Sequence, residues 1–107
     1  MNAVENKKDY IARLQVAVQQ LHNCGAVHRY TAPVTETFNG QIVWQREVEV
    51  FDLLRHPKAK RAFGWSHREG NNDEGERFVA VLEIPPVVSP VTAVRDSIMA
   101  DAKKRKP

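Results

Sequence analysis

"VHRYTAPVTETFNGQIVWQREVEVF", residues 27–51, decides how the rest of the chain can fold. Tyr30, Ala32, Val34 and Phe38 alternate with Arg29, Thr31, Thr35 and Thr37. Ile42, Trp44, Val48 and Val50 stand in the same way against Gln45, Glu47 and Glu49. A period of two marks strands that turn one face to a core. Asn39-Gly40 marks the reversal between them. The register depends on the length of that loop. A two-residue loop sets Val34 beside Gln45 and Tyr30 beside Glu49, so that apolar side chains meet polar ones. A three-residue loop, 38–40, sets Val34 beside Trp44, Tyr30 beside Val48 and His28 beside Val50. A one-residue slip turns every side chain to the other face, so the three-residue loop is expected, as a type I turn with a bulge at Gly40. Pro33 has no ladder donor, so the first strand is expected to lie at a sheet edge or to be locally broken.

Upstream, Ile11, Leu14, Val18 and Leu21 recur at spacings of three, four and three, one face of a helix, with Ala17 on the same stripe. "HNCG", 22–25, supplies a stop, and Gly25 suits the left-handed residue that closes a helix. A helix is expected over about 5–22. Downstream, Pro57 ends the second strand's ladder. Ala59, Arg61, Phe63, Trp65 and His67 then alternate with Lys60, Ala62, Gly64 and Ser66 as a third strand, 59–67. "EGNNDEG", 69–75, reads as a hairpin loop. Phe78, Ala80, Leu82 and Ile84 define a fourth strand, 77–84, which Pro85-Pro86 stops. Ser89 caps and Pro90 opens a second helix with the stripe Val91, Val94, Ile98 and Ala102. The basic tail, 103–107, suits the negative end of that helix and is expected to fray from it.

These elements predict an α+β fold in the order α-β-β-β-β-α, one domain over 1–107. The expected form is a two-layer sandwich: a four-stranded antiparallel meander sheet with the N- and C-terminal helices packed on one face. A chain of 107 residues can bury one modest core, and 42% hydrophobic with 27% charged residues is a globular composition. No apolar run approaches the roughly 18–20 residues of a membrane helix. The start, "MNAVENKKDY", lacks the apolar stretch of a signal peptide. The one cysteine, Cys24, excludes an internal disulfide and fits a reducing compartment. A cytoplasmic location is expected.

The net charge of +3 is unevenly spread. Arg55, Lys58, Lys60, Arg61 and Arg68 meet no acid within 55–68, and Lys103, Lys104, Arg105 and Lys106 meet Asp101 alone within 101–107. Concentrated fields of this kind steer anionic partners. If Trp65 is free to stack on a base, this strand and the tail make a nucleic-acid-binding module. If Phe63 and Trp65 are core, the lysines are an ordinary solvated side.

Other chemistry is thin. His22, Cys24 and His28 form an H-x-C-x3-H set without a spaced fourth ligand, so no metal is expected. Cys24 has no identifiable orienting group for nucleophilic work. Glu36, Glu47, Glu49 and Asp52 could supply a carboxylate pair. Glu47 and Glu49, however, fall on the expected wet face, and Glu36 falls near the hairpin tip. Phosphate loops, dinucleotide fingerprints and serine-nucleophile elbows are absent, and no enzyme, cofactor or small-molecule substrate is expected. A sheet covered on one face leaves Val43, Phe51, Leu53, Val79 and Val81 on the other, where a second copy could bury them. The preferred reading is a non-enzymatic binding domain acting by protein–protein contact, as a homo-oligomer or with another protein. Nucleic-acid binding is the alternative.

Overall fold

A computed structural model of the chain describes residues 6–68 and 76–105. Its elements are α1 (Lys7–His22), β1 (Gly25–Phe38), β2 (Gln41–Leu54), β3 (Arg61–Arg68), β4 (Glu76–Leu82) and α2 (Pro90–Arg105). The four strands form one antiparallel sheet in the order β1-β2-β3-β4. The expected class and order are therefore those observed, with β1 at an edge as Pro33 requires. The expected loop at 69–75 lies outside the described residues.

Local sequence explains where the helices begin and end. The Asn6 side chain accepts the Asp9 N–H at 2.8 Å and caps α1. At the other end Asn23, rather than Gly25, takes the left-handed conformation (φ 53°) and bonds Gln19 O; Gly25 opens β1 instead. Before α2, Thr92 Oγ1 accepts the N–H groups of Val88 and Ser89, both at 2.9 Å, while Ser89 Oγ accepts from Thr92 N–H at 3.2 Å. Each residue thus caps the other.

The long hairpin reaches the expected pairing of faces by another route. Phe38 pairs with Gln41, so the loop has two residues, with Asn39 (φ 52°) and Gly40 (φ 78°) both left-handed as a type I′ turn demands. The register then shifts: Thr37 faces Ile42, but Glu36 faces Trp44, which leaves Val43 as an extra residue in β2. From there Val34 lies opposite Arg46, Ala32 opposite Val48 and Tyr30 opposite Val50. The offset is two residues from the expected one, so the same faces still meet. A second shift at Arg29 sets His28 against Phe51 and Ala26 against Leu53.

The helices do not share a face, and this corrects the two-layer arrangement. Ala62 packs in a cluster with Leu14 and Val18 of α1, together with Ala26, Phe51, Leu53 and Ala59. Its neighbour Phe63 packs with Ala93 and Val94 of α2, together with Val34, Val48, Val50, Trp65 and Val87. Successive residues of a strand point to opposite faces, so α1 covers one side of the sheet and α2 the other. In β4 the division repeats, with Phe78, Ala80 and Leu82 toward α1 and Val79 and Val81 toward α2. The reason is quantity. The strands carry apolar residues of both parities, and each buried aliphatic or aromatic side chain is worth about 1.5–3 kcal/mol, so one helix per face leaves neither set in water. Among the described residues no helix is long and apolar enough to cross a membrane.

Between β2 and β3 the sheet forks. The two strands pair only from Glu49↔Gly64 to Asp52↔Arg61. The first half of β2 stays bonded to β1 and continues as a two-stranded arm to the tip at Asn39-Gly40.

Candidate binding surfaces

The expected third strand is present, but only Arg61 and Arg68 of the basic segment lie in it. Lys58 and Lys60 precede β3, in an exposed loop that also holds Arg55. Arg61 stays partly exposed and is paired with Asp52, 3.3 Å away, which also holds Arg29 at 3.2 Å. Trp65 is 3% exposed and Phe63 is 1% exposed. Trp65 meets Trp44 edge to face with centroids 5.5 Å apart. It is core, and it offers no platform for a base. The side chains of Arg68, Lys103, Lys104 and Arg105 lie outside the described residues, although the α2 backbone runs to Arg105.

The five interface candidates separate. Phe51 and Leu53 are buried under α1, while Val79 and Val81 are partly buried under α2. They occupy opposite faces and form no common patch. Val43 alone of the five stays exposed, because the bulge releases it from the alternation. It has company at the arm's end: Phe38 is 68%, Ile42 58% and Val43 52% exposed.

The carboxylates also fall differently. Glu36 is held by Arg95 of α2 at 2.8 Å, and this ion pair raises the guanidinium's pKa above its ordinary value. The His22, Cys24 and His28 set is dispersed. His22 Nε2 lies 2.9 Å from Ala80 O, and His28 turns to Glu49; among the described residues no His/Cys/Asp/Glu group could hold a metal. Glu47 is exposed as expected, but Glu49 is fully buried, because α1 covers the face on which both lie.

Glu49 is the feature that the pattern alone did not disclose. Its Oε1 accepts from Thr31 Oγ1 at 2.5 Å and lies 2.8 Å from His28 Nε2. The Lys7 ammonium stands 3.3 Å from Oε2, outside hydrogen-bond geometry, so that oxygen has a nearby charge but no hydrogen-bond donor among the described residues. Lys7 instead donates to Glu47. That bond, followed by the influence of Glu49, raises the Lys7 pKa above 10.5 against the opposing effect of partial burial.

These groups line a cleft of about 370 Å³ at the fork, bounded by Lys7, Tyr10, Arg46, Glu47, Glu49, Trp65 and Ser66. A continuing ladder would set Glu47 against Ser66. Instead the Ser66 N–H donates to Tyr10 Oη at 3.0 Å, and Arg46 donates to Ser66 O. Side chains thus satisfy the backbone that β2 leaves behind. Comparison with family models, curated proteins and solved structures finds no significant match.

Proposed function

We infer that this chain is a small, non-enzymatic, cytoplasmic binding domain that works through protein–protein contact, with a second copy of itself as partner. The observation that supports this reading is the arm's apolar tip, where Phe38, Ile42 and Val43 are each more than half exposed on a two-stranded projection. Grouped apolar exposure of this kind favours association, and a two-fold axis through the tip would set the same three residues against each other. So small a contact implies a weak dimer.

Sedimentation velocity across roughly two decades of concentration tests it. The wild type is expected to shift toward dimer as concentration rises. Phe38→Ser/Ile42→Ser, which touches neither core cluster, should stay monomeric with an unchanged circular dichroism spectrum. A wild type that is monomeric throughout would overturn the reading. Nucleic-acid binding keeps one supporting observation, the exposed Arg55, Lys58 and Lys60 on a single loop. Steeply salt-dependent oligonucleotide binding, lost on Lys58→Ala/Lys60→Ala, would place it first.

A further inference from the structure

The geometry points to a second site, independent of the arm's tip: the fork cleft receives the ammonium group of a lysine in a partner polypeptide, and Lys7 is the chain's own stand-in for it. The receptor is a carboxylate fixed in advance. His28 and Thr31 hold Oε1 of Glu49, and among the described residues Oε2 of this fully buried side chain has the Lys7 ammonium 3.3 Å away as an ion-pair partner but no hydrogen bond. A buried carboxylate oxygen without a donor gains more from a cation than an exposed one does. Glu47 adds a second acidic group at the mouth.

Lys7 marks the preference of the site for an ammonium. It reaches in from the first turn of α1, stays 46% exposed, and engages Glu47 while only approaching Glu49 Oε2. A lysine entering from outside can replace it and make the direct bond to Oε2 that Lys7 does not. The arm supplies the route. Among the described residues, 41–48 of β2 pair with β1 and not with β3, so their outer edge runs beside the cleft without a strand partner and suits pairing with an extended partner segment. Arg46 does not compete for the carboxylates in this arrangement, since it donates to Ser66 O.

The test is amide chemical-shift titration of the full chain with the peptide acetyl-Ala-Lys-Ala-amide, its norleucine counterpart, and n-butylammonium chloride. Saturable shifts at Tyr10, Glu49 and Ser66 are expected with the lysine peptide and none with norleucine. Lys7→Ala, which removes the internal competitor, should tighten binding about tenfold. Glu49→Gln should abolish binding. Should that variant fail to fold, Glu47→Gln at the exposed mouth should still weaken binding severalfold. Equal affinity in wild type and Lys7→Ala, equal response to norleucine, or no shift in any variant would overturn the assignment. Binding of butylammonium as strong as that of the peptide would overturn its polypeptide half. None of these outcomes depends on the oligomeric state.

Discussion

At the scale of single residues, Lys7 and Glu49 have consequences that exposed charges lack. The Lys7 pKa is raised in the folded state, first by Glu47 and then by Glu49. A folded value above the unfolded one means that the ion pair's contribution is complete below pH 10.5 and is lost as pH climbs through the higher folded value. The difference in melting temperature between wild type and Lys7→Met should therefore hold near pH 9 and shrink as the pH is raised beyond 10.5. An unchanging gap would mean that Lys7 gains nothing from its partners. The burial of Glu49 was not legible as a local property, because Glu47 and Glu49 share a face and a residue type. Only α1 distinguishes them, covering one and stopping short of the other. The core position of Trp65 was within reach of the sequence, since Phe63 and Trp65 alternate in step as a covered face requires.

Among the elements, α1 comes down on β3 over Gly64. A Cβ added there would stand 3.3 Å from Leu14 Cδ1 and 3.3 Å from the Val79 carbonyl oxygen. Gly64→Ala should cost about 1–3 kcal/mol, and Leu14→Ala about 2–5 kcal/mol. Because removing the leucine methyls makes room for the alanine, the double variant should be less destabilised than the sum by at least about 0.5 kcal/mol in urea unfolding. Strict additivity would mean that the helix does not rest there. Element types and order were legible because periods of two and of 3.6 are hard to confuse over long segments. The turn was not, because two devices give the same parity. A three-residue loop satisfies the facing of Val34 and Val48, and so does a two-residue turn followed by a bulge. The run Ile42-Val43-Trp44, three apolar residues where alternation allows two, was the sign of the bulge.

For the molecule as a whole, the decisive property is that the sheet is covered twice. Val48 and Val50 face α2 while Phe51 and Leu53 face α1, and reading one set as a wet surface placed both helices together. A strand segment apolar at both parities belongs to a sheet with two covers. From that placement follow the burial of Glu49, the loss of the sheet-face interface, and the restriction of exposed apolar surface on the arm to its tip. Methyl–methyl and methyl–aromatic nuclear Overhauser contacts test it most directly. The account predicts contacts from Leu14 to Ala62 and Leu82, and from Val94 to Phe63 and Trp65, with none between Leu14 and Val94. Contacts from Leu14 to Trp65 or to Val94 would put both helices on one face and contradict it.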